Sequence, residues 1–139
     1  YIEQRFRRSI SQIFATDGEE AFRSAEHAML AEVGEMQDVV IACGGGTPCF
    51  HGNMDFMLSR GTVIYLDTSV DRIVERLTRN RSRRPLMAGK DPSQLHDEVA
   101  AGIARRLPYY TRAHVTHPGE QLEDRSQIDA TVEALLPQL

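Results

Sequence analysis

Two nearly continuous apolar runs, Val39-Val40-Ile41-Ala42-Cys43 and Thr62-Val63-Ile64-Tyr65-Leu66, constrain this chain more than anything else in it. Neither alternates with polar residues, so each reads as a strand buried on both faces, and such strands belong to parallel sheets covered by helices. Stretches of helical period lie before, between and after them, which makes the fold class α/β. The first run passes straight into Gly44-Gly45-Gly46-Thr47. Successive glycines expose backbone N–H groups and let an oxygen-rich ligand approach at the carboxyl end of a strand. The same glycines would serve equally well as a loose turn.

With 139 residues, 41% hydrophobic and 26% charged, the chain suits one soluble domain over 1–139. A net charge of −4 argues against a general nucleic-acid coat, although a local basic patch can still meet phosphate. No apolar window approaches the roughly 18 residues of a membrane helix and no signal-peptide pattern opens the chain, so a cytoplasmic monomer with no membrane partner is expected. Cys43 reads as a buried strand residue and Cys49 as a loop residue, and their number and spacing suggest neither a disulfide scaffold nor a zinc site. The chain begins Tyr1-Ile2-Glu3-Gln4 and enters a helical pattern at once, as if joined in mid-element.

Ile2 to Phe14 suits helix, and Ser9 with Gln12 forms a capping box that starts a second helix at Ile10. Ala15-Thr16-Asp17-Gly18 breaks the pattern. A longer helix follows from about Glu19 to Val33, with Phe22, Ala25, Met29 and Val33 on the core stripe. Arg23 and Glu26 are neighbours at i, i+3, and such pairs are usually solvated surface ion pairs. A short helix with Asn53 as N-cap stops at Gly61. Thr68 and Ser69 cap the helix that carries Ile73, Val74 and Leu77. Another runs from about Ser93 to Leu107, opened by Asp91-Pro92. His114-Val115-Thr116 reads as a last strand, and Gln127 to Leu136, capped by Ser126, as a closing helix.

The stretch Arg79 to Lys90 is basic and punctuated by Pro85 and Gly89, too polar to pack. A solvated linker, a nucleic-acid contact and a lid over about 79–92 all fit it. The lid agrees best with the glycines, since arginines closing over a polyphosphate exclude water and neutralise moving charge. Further on, Arg105-Arg106-Leu107-Pro108-Tyr109-Tyr110 ends the following helix. Arginine there is either a dipole partner or a bidentate fork for a carboxylate. The five histidines read as structural, because His114 and His117 have poor geometry for a metal pair.

Taken together, Ser9-Ile10 to Phe14, Asp17-Gly18-Glu19 with Phe22-Arg23 and Glu26, Gly44-Gly45-Gly46, Arg84-Pro85-Leu86 and Arg106-Leu107-Pro108-Tyr109 resemble the shikimate kinase family, in its order and spacing. The resemblance implies a three-layer α/β/α P-loop kinase fold with a parallel five-stranded sheet, whose first two strands are missing here. It implies an ATP-dependent phosphotransferase acting on the 3-hydroxyl of shikimate, in the route to chorismate and aromatic amino acids, with Mg²⁺ accompanying ATP. By the same resemblance Arg23 and Arg106 hold the shikimate carboxylate, and Glu26 positions Arg23 and hydrogen-bonds substrate. Gly45 and Gly46, with Gly44, offer backbone N–H groups to the hydroxyls, and Phe14 and Phe22 wall the pocket. Arg84 looks like the catalytic lid arginine that reaches the ATP phosphates, and Arg79 or Arg76 like the arginine that packs on adenine. Shikimate is an anion with three hydroxyls, so a double-arginine clamp with polar backbone suits it better than an apolar slot.

The family's phosphate loop of G-x-x-x-x-G-K-[ST] type is absent from these residues, as is its substrate-binding aspartate, which alignment puts two residues ahead of Tyr1. No metal ligands are expected among the residues given. A longer natural protein is therefore expected, because a parallel sheet without its central strand leaves backbone groups unpaired. Two rival readings remain: a related small-molecule kinase of the same fold, for example one acting on gluconate, and a non-catalytic ligand-sensing relative.

Overall fold

Ser9 sets the start of the longest helix. Its Oγ accepts the Gln12 N–H at 3.1 Å, and Gln12 Oε1 accepts the Ser9 N–H at 2.9 Å, which completes the predicted capping box. The computed structural model describes residues 1–79 and 91–139. They fall into two compact units, Tyr1–Thr62 and Val63–Leu139, taken in turn.

In the first unit, α1 spans Ile2–Phe6 and ends at Arg7, whose φ of 51° is left-handed. Helix α2 spans Ile10–Val33 but is not continuous: Gly18 sits inside it at φ 85°, ψ 171°. The break expected over 15–18 is thus confined to one residue, at a conformation that only glycine adopts cheaply. Ile13, Phe22 and Leu30 are the buried apolar residues of α2, together with Arg23 and Glu26. The expected stripe through Ala25, Met29 and Val33 is only half-buried. The covering elements, the 3-10 turn Thr47–Cys49 and α3 (Asn53–Arg60), pack on the row of Phe22, Glu26 and Leu30 instead. Gly52 at φ 66°, not Asn53, is the N-cap of α3, and Gly61 ends it. Asn53 is fully buried, its side chain used elsewhere, as described below.

The run Val39–Cys43 departs from expectation. It forms no strand, Val40 is fully exposed, Val39 and Ile41 are nearly half exposed, and Cys43 is exposed. A strand exists only as a member of a ladder, and among the described residues nothing pairs with this one.

In the second unit, β1 (Ile64–Asp67) and β2 (Val115–Pro118) pair in parallel, with Ile64 opposite Val115 and Asp67 opposite Pro118. Both begin later than their apolar runs suggest. The Val63 N–H is taken by His114 Nδ1 at 3.0 Å, and the Val63 carbonyl by the Val115 N–H at 3.1 Å, so a side chain closes the ladder where a strand residue was expected. Between the strands lie α4 (Val70–Arg79) and α5 (Pro92–Tyr110), packed on one another around the fully buried Leu95. The Tyr65 and Tyr110 rings, 5.0 Å apart, tie β1 to the end of α5. Asp124, rather than Ser126, caps α6 (Arg125–Leu135), accepting the Gln127 N–H at 2.9 Å. Of the three strands expected in these residues, two therefore pair.

Two outcomes follow from these local features. Gly18→Ala meets no atom within 4 Å, so its cost is backbone strain alone, and thermal or urea unfolding should show a loss of about 1–3 kcal/mol. In the second unit Arg76, 2.7 Å from Glu123, holds that carboxyl below the ordinary glutamate value of 4.5, with Arg79 adding to the effect. A folded value below the unfolded one stabilises the fold above the unfolded value, and that contribution is lost as the pH falls through the folded value. Arg76→Gln should move the Glu123 midpoint back up toward 4.5 in a carboxyl-carbon NMR titration, lower stability at neutral pH, and shrink the share of the acid-side stability loss that this carboxyl carries.

Candidate active site

Arg23 and Glu26 lie one turn apart on α2, facing the 3-10 turn rather than solvent. Residue exposures of 9% and 6% overturn the expectation of a solvated surface pair. Arg23 Nη1 donates to Glu26 Oε1 at 2.9 Å. The other carboxylate oxygen, Oε2, accepts the Thr47 hydroxyl at 2.8 Å. Burial of a charged pair costs several kcal/mol per ion before attraction is counted, so a buried pair is weak evidence for stability and better evidence for a task.

The Arg23 guanidinium is fixed on its faces as well as its edges. Its Cζ lies 4.1 Å from the centroid of the Phe50 ring and 5.2 Å from that of Phe22. Gly46 passes so close that a Cβ there would lie 2.7 Å from Nη2, which explains why the third glycine is a glycine although its φ is −86°. Phe14 stacks on Phe22 with centroids 4.7 Å apart. The edge formed by Nε and Nη2 remains poorly used. Glu19 Oε1 stands 3.5 Å from both, longer than a charge-assisted hydrogen bond, and the Glu19 side chain is largely exposed. Nε is buried and has no hydrogen-bond partner. A preformed cation thus presents the fork edge that matches a carboxylate, next to a turn of glycine backbone.

The structure therefore brings together Arg23, Glu26, Phe14, Phe22 and the turn Gly44–Gly46, of which Gly44 and Gly45 are exposed and Gly46 buried. Arg106 and Arg79 belong to the second unit. Arg106 is exposed on α5, with no hydrogen-bond or ion-pair partner among the described residues. Arg79 ends α4, paired with Glu75 at 3.3 Å and with Glu123 at 2.7 Å. Arg76 is similarly held by Glu123 and by the Glu120 carbonyl. Arg84, with most of the lid expected over 79–92, lies outside the described residues. An open cleft at the carboxyl ends of β1 and β2 is lined by Asp67, Ser69, Thr116, Pro118 and Glu120, the end of a parallel sheet at which ligands bind. Among the described residues no group of three or more His, Cys, Asp and Glu side chains is placed to hold a metal ion.

Sequence reasoning missed Thr47, Phe50, Asn53 and His27. Phe50 carried a legible signal, an aromatic just beyond a glycine turn that faces an arginine. Thr47 and Asn53 carried none, because their partners become neighbours only when the chain folds back on α2.

The shikimate kinase family profile matches residues 1–136. A shikimate kinase of Bacteroides fragilis is 41% identical over 135 residues, covering 97% of this chain and 75% of that protein. One from Parabacteroides distasonis is 42% identical over 136 residues, covering 98% and 79%. Among solved structures, shikimate kinase from Bacteroides thetaiotaomicron superposes with a TM-score of 0.95 at 39% identity, over 99% of this chain and 78% of that one. Shikimate kinase from Acinetobacter baumannii in complex with shikimate gives 0.78 at 30% identity, over 96% and 72%. Profile, relatives and fold agree: the chain belongs to the shikimate kinase family.

Proposed function

We propose that the chain transfers the γ-phosphoryl group of ATP to the 3-hydroxyl of shikimate, giving 3-phosphoshikimate and ADP in the cytoplasmic route to chorismate and the aromatic amino acids. The observation that carries this reading is Arg23: a buried guanidinium, held by Glu26 and stacked on Phe50, whose Nε has no hydrogen bond. The shikimate carboxylate takes that edge in place of the loosely held Glu19, and Arg106 supplies the second half of the clamp. Hydroxyls of the ring meet the backbone of Gly44, Gly45 and Gly46, while Phe14 and Phe22 cover its apolar face.

Phosphoryl transfer asks the protein mainly for position and for charge opposite the migrating group. Arg84 is assigned the charge-stabilising role and Arg79 the contact with adenine. The ion pairs of Arg79 with Glu75 and Glu123 lie at the surface, where such pairs contribute little, so freeing it for a base costs little. Mg²⁺ would arrive with ATP, bound largely through the phosphate oxygens; among the described residues no group of three or more His, Cys, Asp and Glu side chains is placed to hold it alone. Among the described residues no helix is long and apolar enough to cross a bilayer.

ADP release with shikimate, measured against gluconate as an alternative acceptor, tests the assignment. Arg23→Ala and Arg106→Ala should each raise the KM for shikimate by about 30-fold or more, the cost of stranding one partner of a desolvated charge pair. Unchanged kinetics in both would sink the reading. Gly46→Ala places a methyl 2.7 Å from Nη2 and displaces the guanidinium, so it should raise the same KM while circular dichroism stays that of the parent.

A further inference from the structure

We infer that Thr47 and Asn53 are positioning residues for the acceptor's carboxylate, acting through Glu26 on Arg23; the inference rests on the reading of Arg23 as the carboxylate ligand. A closed ring of hydrogen bonds carries it. Thr47 Oγ1 donates to Glu26 Oε2 at 2.8 Å. The Thr47 carbonyl accepts from Asn53 Nδ2 at 2.8 Å. Asn53 Oδ1, which can only accept, lies 2.6 Å from His27 Nδ1 and pairs with it when that nitrogen carries a hydrogen. His27 follows Glu26 on α2, so the ring closes through the backbone. Thr47 is 5% exposed and Asn53 is 0% exposed, so water does not stand in for either.

The ring does something that one ion pair cannot. Glu26 has two carboxylate oxygens, and the Thr47 hydroxyl occupies one of them, leaving a single oxygen for Arg23 Nη1. Without the hydroxyl, the unpaired oxygen turns to the guanidinium and makes the two-pronged pair that arginine and carboxylate prefer. Arg23 is then drawn from the Phe50 face and the Gly46 backbone toward Glu26, and the fork edge meant for substrate is turned away. Asn53 fixes where the Thr47 hydroxyl stands, because its amide holds the Thr47 carbonyl while its backbone N–H donates to Phe50 O at 2.9 Å. The same contact therefore sets the ring on which Arg23 stacks.

Steady-state kinetics on the intact enzyme test this. Thr47→Val, which keeps shape and removes the hydroxyl, should raise the KM for shikimate about tenfold, the effect of leaving a buried acceptor unpaired. The KM for ATP and kcat should stay within about twofold, the pattern of lost acceptor binding alone. Thr47→Ser restores the hydroxyl and should restore the KM; Asn53→Asp, which loses the amide donor, should raise it. Thr47→Ala takes the place of Thr47→Val if the valine variant does not fold, with the thermal melt of each variant measured beside its kinetics. A rise shared equally by both substrates and kcat, or no rescue by serine, overturns the inference in favour of a structural role. Arg23→Ala separates the two layers. If it raises the shikimate KM and Thr47→Val does not, the positioning role fails alone; if Arg23→Ala has no effect, the reading beneath it fails.

Discussion

The Glu26 carboxylate is shared between a cation and a hydroxyl, and most of the first unit can be understood as the means of keeping it so. Its two oxygens point to Arg23 on the same helix and to Thr47 on the turn. To bring those groups together, α2 must be straight from Glu19 onward, the chain must fold back after Val33, and the turn must approach closely enough for glycine contact. Ile13, Phe22, Leu30 and Met54 supply the apolar burial around this arrangement. Removing water strengthens every charge interaction inside it and makes each polar atom without a partner expensive. Thr47 and Asn53 are hydrogen-bonded through both side chain and backbone, while Arg23 Nε is the buried side-chain polar atom without a hydrogen bond among the described residues.

The two arginines assigned to the carboxylate are held in opposite ways. Arg23 has its orientation fixed by stacking and by Glu26, so little of its side-chain entropy remains to be lost on binding. Arg106 is exposed, with no partner among the described residues, and would surrender that freedom if it engaged a carboxylate as proposed. A fixed cation gives orientation and a free one gives reach.

The sequence was legible wherever a property is local. The capping box at Ser9 and Gln12, the glycine break at 18, the parallel relation of the second apolar run to the last strand, and the order of motifs that marks the family could all be read directly. Arg23 and Glu26 show the limit. Spacing alone says surface pair, whereas the buried environment comes from a turn twenty residues away, and only the family resemblance pointed to it. Asn53 shows the same thing from the other side: its position before a helix suggests a cap, but its amide is more strongly engaged by Thr47 and His27, so the glycine before it takes the cap. Val39–Cys43 has every local mark of a strand and lacks only a neighbour, which no local pattern can provide.

The contact between Gly46 and the guanidinium has a consequence for discrimination. Because the two meet where a Cβ would begin, the separation between the cation and the glycine backbone is set by atomic contact and not by side-chain torsions. A receptor with one internal spacing ranks acids by their stiffness. A cyclic acid already holds its carboxylate and hydroxyls apart, whereas an open-chain acid bearing the same groups must freeze them into place, at about 1 kcal/mol for each one immobilised. If Arg23 takes the carboxylate as proposed, the bare α-carbon at position 46 acts as a gauge of ligand shape, favouring an acid whose groups are already held apart.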